Sequence, residues 1–276
     1  MRLSGKPASE ITLDRERTGV KSAGEAPRLA IISAGHDAAS AVYMAKKLEA
    51  AERCGIYAEQ IPLDADAQGS LLRFAALEAS RDFDGVIIQF PLPDHLMSAA
   101  KGALDLMRAD ADVDGLSAVN RGNWWNADGQ KPCTAAGVIR LLDYYDIPIA
   151  RRRVTVIGRS DLVGKPLAAM LTMRNATVTL CHSKTENLAE CTQESDIVIA
   201  AAGVPELIDE HMINSECTLV DVGINRVDGH IVGDCTREAY EKAEHYTPVP
   251  GGVGLMTVAM LMENTYEAFL RRRGNG

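Results

Sequence analysis

The chain has 276 residues, 46% hydrophobic and 24% charged, a mix that suits about two folded domains and excludes disorder, collagen and a disulfide scaffold. Aromatic residues make up 5% and the formal charge is −9, from 29 Lys+Arg against 38 Asp+Glu. Phosphate backbones and anionic membrane surfaces would be repelled, so neither nucleic acid nor a membrane is expected as a partner.

No apolar run approaches the ~18 residues that span a bilayer; the longest runs only from Ile197 to Gly203. The N-terminal stretch MRLSGKPASEITLDRERTG is charged and lacks the apolar core of a signal peptide. The cysteines are Cys54, Cys133, Cys181, Cys191, Cys217 and Cys235. They form no CxxC pair and no Cys/His group at zinc spacing, so no metal is expected. Scattered thiols of this kind suit a reducing cytoplasm.

In chain order, Leu29–Ala34 reads as a buried strand and Ala38–Cys54 as a helix closed by Gly55. Tyr57–Leu63 follows as a strand, Ser70–Ser80 as a helix, and Gly85–Phe90 as a strand stopped by Pro91 and Pro93. Leu96–Arg108 reads as a helix. This βαβαβ series predicts a parallel sheet with helices on its faces. Residues 109–133, with ADADVDG, two tryptophans and Pro132, break the rhythm and read as a long loop plus a boundary.

Beyond it, Val138–Tyr145 reads as a helix, Arg153–Ile157 as a strand and Lys165–Met173 as a helix. Ala176–Cys181, Asp196–Ala201 and Thr218–Val222 read as strands, and Met256–Arg271 as a final amphipathic helix. The chain is thus expected to be α/β with two domains, the first a parallel α/β domain and the second of Rossmann type.

The segment Gly158-Arg159-Ser160-Asp161-Leu162-Val163-Gly164 follows one strand and opens a helix, at the spacing of a compact βαβ unit. It is a variant of the dinucleotide fingerprint, with Ser160 where the second glycine normally sits. An ordinary βα turn would also account for it. The next strand ends in Cys181-His182-Ser183-Lys184, without the carboxylate that usually grips the ribose of NAD. Arg, Ser and Lys around one ribose suit a 2′-phosphate, which favours NADP; a solvated Arg159 is the plainer alternative.

Ligands of parallel sheets bind beyond the carboxyl ends of the strands, where Gln89 falls. Tyr43 and Lys47 are four apart and share a helix face, whereas Lys46 points elsewhere. Asp112 and Asp114 lie in the loop after the third strand's helix. Taken singly, a helix lysine is commonly a solvated charge and an Asp-rich loop a turn. Spacing alone names no reaction.

Taken together the segments resemble the bifunctional methylenetetrahydrofolate dehydrogenase/cyclohydrolase family, from about Leu29 to Phe269. The matching stretches are YMAKK at 43–47, VIIQFPLP at 86–93, DVDG at 112–115, KPCT at 131–134 and VIGRSDLVGKP at 156–166. ATVTLCHSKT at 176–185, DVGIN at 221–225 and TPVPGGVGLMT at 247–257 complete the set, in the family's order.

The resemblance implies a folate-binding catalytic domain (1–136 and 252–276), an NADP-binding Rossmann domain (137–251), a folate cleft between them, and a last helix returning to the first domain. It implies that NADP⁺ takes a hydride from 5,10-methylenetetrahydrofolate and that the methenyl product is hydrolysed to 10-formyltetrahydrofolate, a one-carbon supply for purine biosynthesis. Lys47 would be the catalytic lysine and general base, Gln89 its hydrogen-bonding partner, and Tyr43 a wall of the pterin site. Asp112 would bind the pterin N–H groups. Gly158, Arg159, Ser160, Ser183, Ile224 and Thr134 would contact NADP, and Gly251 and Gly252 would let backbone approach the folate.

Ala135, Leu255, Phe90 and Ala34 depart from the family pattern, and the N-terminal segment is short and weakly helical. A homodimer is implied, and apolar periodicity places the stretches around Val178 and Ile197 in part of its contact. A monofunctional dehydrogenase would have no need of Lys47 and Gln89. A non-catalytic folate- or nucleotide-binding protein would be expected to lose Lys47 or the GRS loop.

Overall fold

A computed structural model describes residues 1–35, 38–126 and 128–274. The chain opens with α1 (Gly5–Ala23), a helix of 19 residues where the sequence suggested only weak helicity. Its buried positions include Ala8, Thr12, Glu16 and Val20. They recur at helical spacing, but the polar members dilute the apolar stripe that periodicity detects. Arg15 bonds both Glu16 and Glu263, which supplies an opposite charge for a carboxylate buried on the helix.

The first sheet forms as expected. β1 (Arg28–Ala34), α2 (Ala38–Cys54), β2 (Tyr57–Leu63), α3 (Gly69–Asp82), β3 (Gly85–Ile88) and α4 (Asp94–Leu106) follow in order. The strands are all parallel in the order β2-β1-β3. Every residue of β3 is buried, the pattern of a strand covered on both faces. β3 stops at Ile88, although the Gln89 N–H still reaches the Ile32 carbonyl at 2.7 Å. Leu72, Ala76, Leu96 and Ala100 from α3 and α4 share one core with Ile32, Val86 and Ile88.

The stretch read as a loop contains α5 (Ala118–Asn123) and a 3₁₀ turn over Trp124–Asn126. Trp124 is buried and its indole N–H donates to the Gly115 carbonyl at 3.1 Å. The loop also bridges the sheet, because Asp112 pairs with Val86 on the free side of β3.

The second sheet has five parallel strands. After α6 (Cys133–Tyr144) come β4 (Arg153–Ile157), α7 (Gly164–Met173), β5 (Thr177–Cys181), α8 (Leu188–Gln193), β6 (Ile197–Ala200) and β7 (Thr218–Asp221). A short antiparallel hairpin follows, of β8 (Asn225–Val227) and β9 (His230–Val232), then α9 (Arg237–Lys242), β10 (His245–Tyr246) and α10 (Val253–Arg272). The order β10-β7-β6-β4-β5 leaves β5 at one edge.

Two compact units result: Met1–Ser9, Trp125–Ala127 and Thr134–Thr257 in one, and Glu10–Trp124, Asp128–Cys133 and Val258–Gly276 in the other. The first residues join the second sheet, with Leu3 N–H bonded to the Tyr246 carbonyl at 2.7 Å. The last helix ends in the unit that holds the first sheet. There the Asn264 amide donates to the Val113 and Lys131 carbonyls, both at 2.8 Å, and Arg272 and Arg273 pair with buried Asp84.

Candidate active site

In the unit with the first sheet, the crossover from β1 to β2 carries α2, whose Lys47 reaches Gln89 just past the end of β3. Lys47 Nζ donates to Gln89 Oε1 at 2.6 Å. The Gln89 amide nitrogen donates to the Phe90 carbonyl at 2.6 Å, so the amide is pinned with its oxygen toward the lysine. Burial pushes the Lys47 ammonium below the ordinary lysine range, while the charge of Asp114 and the Cys133 thiol oppose that shift. The Cys133 thiol is driven well above its ordinary range by burial first and by Asp114 next. The Cys133 backbone N–H lies 3.4 Å from Asp114 Oδ1, and its thiol donates to the Val113 carbonyl at 3.4 Å. Lys47, Gln89, Asp114 and Cys133 therefore form one coupled cluster, poised to move a proton at the lysine nitrogen.

Asp112 lies elsewhere. It is fully buried, and its Oδ2 accepts the Ser117 N–H at 2.7 Å and the Asn120 side-chain N–H at 2.9 Å. Oδ1 is sealed from solvent without a partner, and burial raises the carboxyl above its ordinary range. That placement runs against the expected contact with a ligand, because Oδ2 is taken by protein donors and Oδ1 is sealed from solvent. A turn is responsible: the Gly115 N–H closes onto the Asp112 carbonyl at 3.0 Å with Gly115 at φ +65°. The chain reverses between the two aspartates, so Asp112 turns inward while Asp114 stays half-buried beside Lys47.

Tyr43 is half-buried one helical turn before Lys47. Lys46 is exposed, yet its ammonium stands 5.8 Å from the centre of the Tyr43 ring, so it is less remote from this face than helix geometry suggests.

In the other unit, the turn after β4 depends on its glycines. Gly158 adopts φ +117°, and a Cβ there would sit 2.1 Å from the Ala201 carbonyl oxygen. A Cβ on Gly164 would sit 1.8 Å from the Gly158 oxygen, so the first turn of α7 packs directly on the loop. Ser160 Oγ accepts the Val163 N–H at 3.1 Å, which shapes the turn from within. Ile157 and Cys181 are paired in the sheet, so the segments that follow them emerge side by side. The Gly158 N–H bonds the Cys181 carbonyl at 2.9 Å. Arg159 and Ser183 are both exposed there. The Lys184 N–H donates to His182 Nδ1 at 3.1 Å, and Thr185 Oγ1 accepts the His182 N–H at 2.9 Å.

These features fit a phosphorylated dinucleotide. A backbone cradle that admits no side chain lies at a helix N-terminus, and the exposed Arg159 follows β4 next to the end of β5, where a carboxylate would repel a 2′-phosphate. Ile224 is 44% exposed in the loop after β7. Thr134 accepts a hydrogen bond from the Thr257 hydroxyl at 3.2 Å. Gly251 takes φ +103° with open space where a Cβ would point, and a Cβ on Gly252 would meet the Pro248 oxygen at 2.6 Å.

The sequence thus points to Lys47 with Gln89 and to the glycine turn; it shows Asp114 beside Asp112 without a role, and it gives Cys133 none. Their signals were the second aspartate of DVDG and the cysteine of KPCT, both visible but without a geometry to rank them. Among the described residues no group of His, Cys, Asp and Glu is arranged to hold a metal.

Comparison with known proteins agrees with this geometry. Residues 3–114 match the family model for the tetrahydrofolate dehydrogenase/cyclohydrolase catalytic domain, and residues 132–273 match its NAD(P)-binding domain. The chain is 42% identical over 275 residues to the bifunctional protein FolD of Thermus thermophilus, covering 98% of this chain and 96% of that one. The crystal structure of the bifunctional enzyme FolD from Campylobacter jejuni superposes with a TM-score of 0.94 at 37% identity, over 99% of each chain. The Trypanosoma brucei enzyme, solved with NADP and an inhibitor, gives 0.92 at 32% identity over 99% of this chain and 98% of that one.

Proposed function

The chain belongs to the tetrahydrofolate dehydrogenase/cyclohydrolase family, and from that premise we propose that it oxidises 5,10-methylenetetrahydrofolate to the methenyl compound with NADP⁺ and hydrolyses that product to 10-formyltetrahydrofolate. When bound, NADP⁺ supplies the hydride acceptor. Gly158 and Ser160 with the α7 N-terminus would hold its pyrophosphate, and Arg159 and Ser183 its 2′-phosphate, with Ile224 and Thr134 as further contacts. The folate-binding domain expected at 1–136 and 252–276 would be built mainly on the unit of Glu10–Trp124, Asp128–Cys133 and Val258–Gly276, and the cofactor domain expected at 137–251 on the other unit.

Oxidation asks the protein for alignment and tolerance of a developing cation, and a neutral amine suits that better than an ammonium. Hydrolysis asks for proton transfers. Water adds to the cationic carbon and a neutral Lys47 takes one of its protons; the resulting ammonium protonates the ring nitrogen as its bond to that carbon breaks, and the added hydroxyl loses its remaining proton to solvent to leave the formyl group. Gln89 holds the amine without adding charge. Tyr43 would wall the pterin, and Gly251 and Gly252 would admit the folate to close backbone contact. The pterin-binding carboxylate is assigned to Asp114 rather than Asp112, since only Asp114 has an accessible side chain coupled to Lys47.

The observation that carries this reading is the short bond from the half-buried Lys47 amine to a pinned glutamine. Its test is an absorbance assay of methenyltetrahydrofolate formation and decay with NADP⁺ or NAD⁺. Formation that depends on NADP⁺, followed by decay, supports both activities; formation without decay leaves only a dehydrogenase.

Six unpaired cysteines support a cytoplasmic setting, where the formyl product would serve purine biosynthesis. A homodimer is supported by β5, an edge strand whose Thr177, Thr179 and Leu180 are exposed and whose Val178 is half-buried. Ile197 belongs to β6 in the middle of the sheet and is 1% exposed, so it supplies no such contact. Light scattering at micromolar concentration should give twice the 29.7 kDa chain mass, and Leu180→Glu should shift it toward the monomer.

A further inference from the structure

One buried carboxylate ties together the loops that follow β6 and β7. Asp234, just past β9, is fully buried. Its Oδ2 accepts the backbone N–H of Ala202 at 2.7 Å and of Gly203 at 2.8 Å. Its Oδ1 accepts the side-chain N–H of Asn225 at 2.9 Å. A Cβ on Gly223 would lie 2.1 Å from that same Oδ1, so the chain passes close enough to exclude any side chain.

Asp234 is itself held from behind. Its N–H donates to Asp221 Oδ1 at 3.0 Å, and Asp221 also accepts from the Gly223 N–H at 2.8 Å, the Cys235 N–H at 2.8 Å and the Tyr240 hydroxyl at 2.6 Å. The bonds fix both loops from one point, and neither loop has regular structure of its own to hold it.

These loops have a definite place relative to the cofactor turn. Strand order puts β6 and β7 on the side of β4 away from β5. The Ala201 N–H bonds the Ile157 carbonyl at 2.8 Å, and its oxygen abuts Gly158. A dinucleotide with its pyrophosphate at the β4 turn and its 2′-phosphate beyond β5 must run its nicotinamide half over β6 and β7.

We propose that Asp234 is the positioning residue for the nicotinamide half of the cofactor, acting through the backbone of Ala201–Gly203 and through Asn225, which fixes the exposed Ile224 before it. The proposal rests on the cofactor reading above. Asp234 touches no reacting atom; it sets where the backbone that meets the ring stands.

The test uses Asp234→Asn in the full-length protein. An amide has one oxygen for three donors, so whichever way it turns, its NH₂ faces another N–H. Calorimetric titration should show NADP⁺ binding weakened by about tenfold, the worth of a lost charge-assisted bond. Binding of 2′,5′-ADP, which carries the adenosine half alone, should stay within about twofold. Dehydrogenase turnover should fall, whereas hydrolysis of supplied methenyltetrahydrofolate, which needs no NADP⁺, should hold. Should the Asn variant not fold, Asn225→Ala removes one of the same bonds from a half-buried position and should give the same selective pattern at smaller size.

Equal weakening of NADP⁺ and 2′,5′-ADP, or no weakening of either, would overturn the positioning role. If the unaltered protein bound neither ligand, the cofactor reading itself would fall, and this inference with it.

Discussion

The two functional regions of this protein solve opposite physical problems. Around Lys47 the groups that matter are partly or fully buried, coupled and few: an amine, an amide oxygen, a carboxylate and a thiol. Around Gly158 the groups that matter are backbone N–H donors at a helix end and side chains left in solvent, Arg159 and Ser183. Acid–base chemistry needs a displaced pKa, and burial displaces it. Phosphate recognition needs permanent positive charge and close backbone approach, which exposure and glycine provide.

That contrast breaks most sharply at Lys47. Lys47→Met keeps an unbranched chain and removes the amine, so cyclohydrolase turnover should fall by at least about 10²-fold while some dehydrogenase activity persists. Methenyltetrahydrofolate should accumulate in a coupled assay. Undiminished hydrolysis in this variant would remove Lys47 as the base. In the unaltered protein the hydrolysis rate should rise with pH as Lys47 loses its proton, along a limb below the ordinary lysine range, because burial lowers its pKa. The sign for stability is the same. Between the lowered and ordinary values the unfolded chain binds more protons, so stability also rises with pH across that window. A rate that climbs only at the ordinary lysine value would contradict the burial argument.

The two aspartates of the DVDG turn sharpen the contrast within a single loop. Asp114→Asn should raise KM for the folate by roughly 10- to 100-fold, as expected for a lost charge-assisted bond. Asp112→Ala should lower unfolding free energy by about 1–3 kcal/mol, because it strands the buried Ser117 and Asn120 donors, and leave that KM within about twofold. A reversal of the two phenotypes would return the pterin contact to Asp112.

On the cofactor side, Arg159→Ala should raise KM for NADP⁺ about 10- to 100-fold and barely move that for NAD⁺. Equal losses with both cofactors would deny the 2′-phosphate contact. The smallest effect belongs to Lys46→Met. Its exposed ammonium near Tyr43 is worth at most a weak cation–π contact, so both activities should stay within about twofold. A hydrolysis defect as large as that at Lys47 would show the wrong lysine had been chosen.

Much of this was readable from residue order because it follows from local rules. The first three strands, α2 and the Gly158 turn are encoded by short-range patterns: apolar runs, a glycine where φ is positive, prolines that stop a strand. Lys47 and Gln89 were each visible as a helix lysine and a strand-end glutamine. Their pairing at 2.6 Å depends on a crossover that brings residues 42 positions apart into contact.

What escaped is what long-range packing settles. α1 hides its helical stripe behind polar residues that become acceptable only because Arg15 reaches Glu16 and Glu263. The pairing of Met1–Leu3 with β10 joins ends of the chain that no local window compares. The different burial of Asp112 and Asp114 turns on Gly115, which takes φ +65° and has the Gln130 carbonyl oxygen 2.6 Å from where a Cβ would be, so that only glycine fits. Residue identity specifies which groups carry charge and which backbones can bend. Which carboxylate is sealed and which stays accessible depends on burial, and burial belongs to the assembled fold.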